Sequence, residues 1–263
     1  DTWAWLYEQQ KQHVIIDKSK WALDIHLARR YKQATDVTFQ GNPYRFEWWT
    51  WCDALFMAPP SFVRMWKVTG NKDYLEYIDN QWWKTSDYFY SEEDSLYYRD
   101  DRFFDKRTDN DKKVLWSRGN GWVIAGLARI LSLLPEDYTN RDKFEQQYTE
   151  MAHKLLSIQG DDGLWRVSLH DPEYLDIGES SGSSFYTFAL AWGLNNGLLE
   201  EKYRPNVEKA WLALCDNVND EGRLGYVQQV AGDPYPFYEH EWHVYATGAF
   251  LLAGKEMYQL AGK

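Results

Sequence analysis

The chain has 263 residues, 44% hydrophobic and 26% charged, which is long enough to bury one large core and ordinary for a globular protein. Its net charge of −11 argues against a nucleic-acid partner, which needs a dense basic face, and no run of about 18 apolar residues offers a membrane span. Two cysteines, Cys52 and Cys215, are too few for a disulfide framework or a cysteine zinc site.

The opening "DTWAWLYEQQ" shows neither the basic n-region nor the apolar h-region of a signal peptide, and it leaves cytoplasm and periplasm both open. Helical periodicity then dominates, predicting helices over 17–33, 53–69, 73–90, 121–133, 141–158, 183–197, 203–217 and 243–259. Strand signals are short: "SLYYRD" at 95–100 and "RLGYVQQV" at 223–230. Four segments share one plan, a polar cluster, an aromatic and then a helix rich in small residues. They are "WCDALFMAPPSFVRM" (51–65), "GNGWVIAGLARIL" (119–131), "GSSFYTFALAWGL" (182–194) and "HVYATGAFLLAGKEM" (243–257). More polar amphipathic helices fill most of the gaps. A repeated helix pair of this length predicts stacked hairpins, with the small-residue helices packed on both sides and the polar ones outside. Closed on itself, that is a toroid of helical hairpins whose inner helices start at one rim, and no linker divides residues 1–263 into separate domains. Helix starts carry unpaired N–H groups, so such a rim attracts anions.

The residues with chemical potential cluster at those starts. Thr50-x-x-Asp53 reads as a capping box, and Trp48, Trp49 and Trp51 surround the same carboxylate in sequence. Shielded from water, Asp53 would have a raised pKa, as a general acid working near neutrality requires. "SRGNGW" (117–122) reads as a tight turn before an inner helix, with Gly119, Asn120 and Gly121 tolerating positive φ. Arg118 would offer a carboxylate-binding fork there, unless it is the exposed Arg of a plain helix–helix turn, and Trp122 would offer a stacking face. "YYRDDRFFD" (97–105), which holds Arg99, reads as a solvated charged loop. "GESSGSS" (178–184) reads as a helix cap with Glu179 as a weak second acid, and "EHEWH" (239–243) lacks the H-E-x-x-H zinc pattern. Cys52 has no evident activating base. The 15 Trp and 19 Tyr, mostly core, still favour a sugar ligand, because indole faces stack on the C–H faces of sugar rings.

In order along the chain, "WWTWCDALFMAPP", "LYYRD", "WSRGNGWVIAGLARIL", "DGLWRVSL", "ESSGSSFYTFALAWGLNNG" and "YATGAFLLAGKEM" resemble glycoside hydrolase family 105, the unsaturated rhamnogalacturonyl and glucuronyl hydrolases similar to family 88. The resemblance implies an all-α (α/α)6 barrel. It also implies an oligosaccharide substrate ending in a 4,5-unsaturated uronate, hydration of its vinyl ether, and no metal or organic cofactor. Carried over by position, Asp53 is the implied acid, and Trp51, Arg118 and Trp122 lie in the implied pocket. Arg99 stands where the family has a pocket His, so an anion contact is expected of it. Met57 and Asp1 complete the candidate substrate-binding set, with Asp1 at about the separation of the family's second pocket Asp. Eight or nine helices are visible where twelve are expected, so part of the N-terminal helices is expected to be missing. Two other readings stay open: a two-carboxylate inverting glycosidase on the same barrel, and a carbohydrate-binding protein without turnover. The polysaccharide, the leaving sugar and the oligomeric state are not specified.

Overall fold

A computed structural model describes residues 1–29, 37–45 and 48–262. The helices in chain order are α1 (Thr2–Gln10), α2 (Asp17–Arg29), α3 (Ala54–Met57), α4 (Pro59–Thr69), α5 (Asp73–Phe89), α6 (Ser117–Leu131), α7 (Arg141–Ser157), α8 (Ser180–Asn195), α9 (Arg204–Asp216) and α10 (Val244–Ala261). The helix expected over 17–33 is seen to Arg29, and residues 30–33 lie outside the described residues. The one expected over 53–69 is two helices. Pro59 opens α4, where its missing N–H costs nothing at a helix start but cannot continue α3.

The packing follows the sequence period. α6 and α8 lie side by side, α8 also packs on α10, and α3 and α4 cover the other flank of α6. Against this row stand α5 on α4, α7 on α6 and α9 on α8. Every residue from Ser180 to Leu194 in α8 is buried, so that helix is enclosed on all sides. α7 buries only the stripe Phe144, Gln147, Tyr148, Met151, Ala152, Leu155 and Leu156, the i, i+3, i+4 pattern of an outer helix. The expectation of enclosure fails for α10. It packs on α8 and α9 but leaves Val244, Leu251 and Tyr258 exposed.

Of the two expected strands, one forms. Leu96–Tyr97 (β2) pairs antiparallel with Tyr90–Ser91 (β1). Residues 223–230 form no strand, because Tyr226 takes a left-handed φ of 54° and only an isolated Val218–Leu224 bridge remains. Instead, the Tyr226 and Val227 N–H groups donate to the Glu239 and Glu241 carbonyls, 3.1 Å each. Most of the tryptophan surplus goes to structure. Trp82, Trp116 and Trp165 are fully buried, with indole N–H bonds of 2.8 Å to Gln147, Gln228 and the Leu155 carbonyl. Among the described residues no helix is long and apolar enough to cross a membrane.

Candidate active site

Asp53 ends the loop that enters α3. The Cys52 N–H donates to the Arg99 carbonyl at 2.9 Å, which joins this loop to the segment leaving β2. The expected capping box does not form: the Thr50 hydroxyl donates to the Arg45 carbonyl at 2.8 Å, and Asp53 makes no side-chain cap bond. The reason is register. The box needs Thr50 at the cap and Asp53 inside the first turn, but α3 starts only at Ala54, so Asp53 itself stands at the cap position. Its backbone there is helical (φ −61°, ψ −25°), not the extended form from which a cap side chain reaches the N–H groups ahead. The carboxylate is therefore buried, 7% exposed, without the usual work of an acid at a helix start. Its Oδ2 lies 3.5 Å from Cys52 Sγ and 3.6 Å from Arg99 Nε. Burial pushes the carboxyl above its ordinary value, and the opposing pull of Arg99 and, more weakly, Arg118 does not reverse this.

The three nearby tryptophans divide their work. Trp49, held at φ 54°, enters the core against Phe62 and Tyr77; Trp48 stacks on Tyr44; half-buried Trp51 meets Phe39 edge-on at 6.4 Å. The charged run 97–105 is not a solvated loop at Arg99 and Asp100. Asp100 is fully buried and collects the Arg99 guanidinium, the Arg102 fork and the Arg102 N–H. Burial alone would raise the Asp100 carboxyl, but these donors outweigh it and hold it below its ordinary value. Arg99 keeps a buried Nε with no hydrogen-bond partner, beside Asp53.

The "SRGNGW" stretch is helix, not turn. α6 begins at Ser117, and neither Gly119 nor Gly121 has positive φ. These glycines serve close approach. A Cβ on Gly119 would stand 3.0 Å from the Trp116 ring and 3.3 Å from Cys52 Sγ, and one on Gly121 would stand 3.1 Å from Phe185 Cβ. Asn120 accepts from the Tyr97 N–H (2.7 Å) and donates to the Tyr97 and Trp116 carbonyls (3.0 Å each), which locks β2 to α6. Arg118 is 2% exposed, so the reading of an exposed turn Arg fails. Its Nη1 donates to the Gln228 carbonyl (2.7 Å) and Ser181 Oγ (3.2 Å), and its Nη2 to the Gln229 carbonyl (2.8 Å). The guanidinium is held between the Trp116 and Tyr245 rings. Its two terminal nitrogens thus serve the protein, and what reaches Asp53 is its field. Trp122 is half-buried against Phe185 and Phe56, with ring centroids 4.2 and 4.8 Å away.

Other candidates lie elsewhere. The Asp1 carboxylate is held by Arg64 and Arg129, and Arg129 is about 15 Å along the α6 axis from the Gly119 that faces Cys52. Met57 ends α3 one turn from Asp53 and is 51% exposed. Glu179 is the expected cap: it accepts from the Ser181 N–H and hydroxyl, the Gly182 N–H and the Gln228 N–H. His240 and His243 stack on Tyr238 and Tyr245, and among the described residues no group of three or more His, Cys, Asp or Glu could hold a metal ion. The Cys52 thiol is pushed up by burial, so it persists as a neutral S–H. Gln228, Gln229, Tyr245 and Asp100 join the site without a local sequence signal, since each is brought in by long-range contacts. Two clefts of about 650 and 630 Å³ are lined by Trp83, Tyr90, Lys143 and Glu150 and by Gln159, Arg166 and His170, and neither includes Asp53. A cleft of about 260 Å³ between Arg102, Lys106, Gly232 and Asp233 adjoins Arg99 through Gly232.

Comparison with known proteins matches residues 1–261 to the model of Glycosyl Hydrolase Family 88. An unsaturated 3S-rhamnoglycuronyl hydrolase of Formosa agariphila is 45% identical over 256 residues, which is 94% of this chain and 67% of that protein. One of the same name from an Alteromonas species is 44% identical over 210 residues, 80% of this chain and 51% of that one. The chain therefore spans about two thirds and half of these relatives. A solved glycosyl hydrolase family 88 structure from Bacteroides vulgatus superposes with a TM-score of 0.86 at 32% identity, over 97% of this chain and 72% of that one. The array of inner and outer helices is the (α/α)6-barrel fold of these neighbours. With the family model extending across nearly every residue, the chain belongs to glycosyl hydrolase family 88.

Proposed function

We propose that this protein removes a 4,5-unsaturated uronic acid from the non-reducing end of lyase-generated oligosaccharides, with Asp53 as proton donor. The observation that carries the reading is a single one: a buried carboxyl at a helix start, raised by burial and free of capping duty. The names of the two curated relatives support an unsaturated rhamnoglycuronyl substrate. The W-x-D and R-G-N-G-W pair supports placement with the family 105 branch of this wider group.

The chemistry follows from a neutral acid. The Asp53 O–H transfers its proton to C4 while the C4=C5 π pair forms the new C–H bond. The positive charge left at C5 is shared with the ring oxygen. Water then adds at C5 and its proton passes to the Asp53 carboxylate. The hemiketal opens by breaking the bond between C5 and the ring oxygen, and the resulting hemiacetal at C1 expels the neighbouring sugar. Arg99, whose buried Nε makes no hydrogen bond and faces Asp53 at 3.6 Å, brings positive charge suited to the uronate carboxylate, and Trp51 and Trp122 offer ring faces. Arg118 supports the pocket through the 228–229 segment and its charge. Met57 lines the exposed side. Asp1, tied to two arginines, takes no part in this scheme.

An inverting two-carboxylate reaction would need a second reactive acid. Glu179 is saturated by four donors, so no observation favours that reading. The test is optical: the protein should bleach the absorbance of the conjugated double bond in a lyase-generated oligosaccharide. Unchanged absorbance across pectin-, ulvan- and glycosaminoglycan-derived unsaturated products would refute the proposal.

A further inference from the structure

Two side chains beside the Asp53 carboxyl face the same oxygen. Cys52 Sγ lies 3.5 Å from Oδ2 as a hydrogen-bond donor, and Arg99 Nε lies 3.6 Å from that same atom. The thiol is not free to turn elsewhere at will: Cys52 is fully buried, its N–H is bound to the Arg99 carbonyl, and its sulfur faces the Gly119 step of α6. An oxygen that accepts an S–H and faces a guanidinium keeps its lone pairs for them. The proton of the neutral acid then resides on the other oxygen.

We infer that Cys52 is a positioning residue for the acid: its thiol, donating to Oδ2, directs the transferable proton of Asp53 to Oδ1. This rests on the reading of Asp53 as the proton donor. Burial keeps Cys52 a thiol, so it can donate, where a thiolate would repel the carboxylate. After proton transfer the same S–H and Arg99 stabilise the new charge on Oδ2. The charged groups facing the carboxyl are Arg99 from the segment after β2 and Arg118 from α6, with Asp100 behind Arg99. Both cations are present in every Cys52 variant, so a change of profile on substitution reports the thiol.

The experiment compares wild type, Cys52→Ala and Cys52→Ser by turnover against pH and by carboxyl carbon-13 NMR titration of Asp53, its signal identified by its loss in Asp53→Asn. Removing the donor should lower kcat roughly tenfold with KM little changed, and should move the Asp53 titration to higher pH. Cys52→Ser retains a donor and should recover most of the rate and the wild-type titration. Superimposable titrations for wild type and Cys52→Ala, or a serine variant no better than alanine, would overturn the inference. The NMR arm needs no turnover, so a protein inactive on every unsaturated substrate would refute the function and still leave the hydrogen bond tested. Infrared spectroscopy of the wild type adds a readout independent of variant folding. The Cys52 S–H stretch should fall in frequency as Asp53 ionises, and a band indifferent to pH would also overturn it.

Discussion

Asp53 and Glu179 are both buried acids at the start of an inner helix, and the protein treats them in opposite ways. Glu179 has extended backbone (φ −95°, ψ 120°), turns its carboxylate onto α8 and accepts from four donors. Asp53 has helical backbone, caps no helix, and its side-chain partners are a weak thiol donor and a guanidinium at 3.6 Å. One change of dihedral angles separates a carboxylate consumed by structure from a carboxyl kept available for proton transfer. Burial without full hydrogen bonding is what raises its pKa.

The largest effect should come from Asp53→Asn. Turnover should fall at least a hundredfold, the scale of a lost general acid, while circular dichroism stays that of the wild type. The same variant tests the other half of the contrast. A carboxyl whose folded pKa is raised contributes stability that is present below its unfolded value and lost as pH rises through the folded one. Asn loses nothing over that window. Urea denaturation should therefore show Asp53→Asn at least as stable as wild type at neutral pH, with any advantage shrinking towards pH 4.

Glu179→Ala should behave in the reverse manner. It strands the Ser181, Gly182 and Gln228 N–H groups in the interior, and the loss should be about 3 kcal/mol in urea, at neutral pH. A variant as stable as wild type would remove the distinction drawn between the two acids. Gly121→Ala adds a methyl 3.1 Å from Phe185 Cβ, where α6 meets α8. It should destabilise by about 1–3 kcal/mol, with a lower Tm and no displacement of the pH–rate profile. The smallest change is expected of Arg118→Lys, which keeps the positive charge near Asp53 but loses the fork across Gln228 and Gln229. Its pH–rate profile should stay within a few tenths of a unit of wild type while KM rises; a large displacement would mean that the fork, not the charge, governs Asp53.

Much of this was legible because period and composition are local properties. The inner helices read as apolar nearly all round, which holds for α8, buried from Ser180 to Leu194, and not for α10, which leaves Val244, Leu251 and Tyr258 exposed. The outer helix α7 read as amphipathic and buries one stripe. Glu179 read as a cap because the serine-rich helix start is a local signal. The failures share a cause. "SRGNGW" looks like a turn because two glycines favour positive φ, yet tertiary crowding by Cys52, Trp116 and Phe185 is what requires their missing side chains. Thr50-x-x-Asp53 has the spacing of a capping box, but the helix starts only at Ala54, and the Thr50 hydroxyl is bound to the Arg45 carbonyl.

The sequence by itself determined the helical period, the enclosed and outer character of helices such as α8 and α7 (though not of α10, which is partly exposed) and the types of residue at the rim, because each depends on neighbours within a turn or two. Which of those residues keeps a reactive group was decided only by tertiary structure. Arg118 is engaged by carbonyls 110 and 111 residues away, Asn120 by β2, and Arg99 is brought to Asp53 by a backbone bond to Cys52. A pKa depends on desolvation and on partners from every side, and those exist only once the helices have packed.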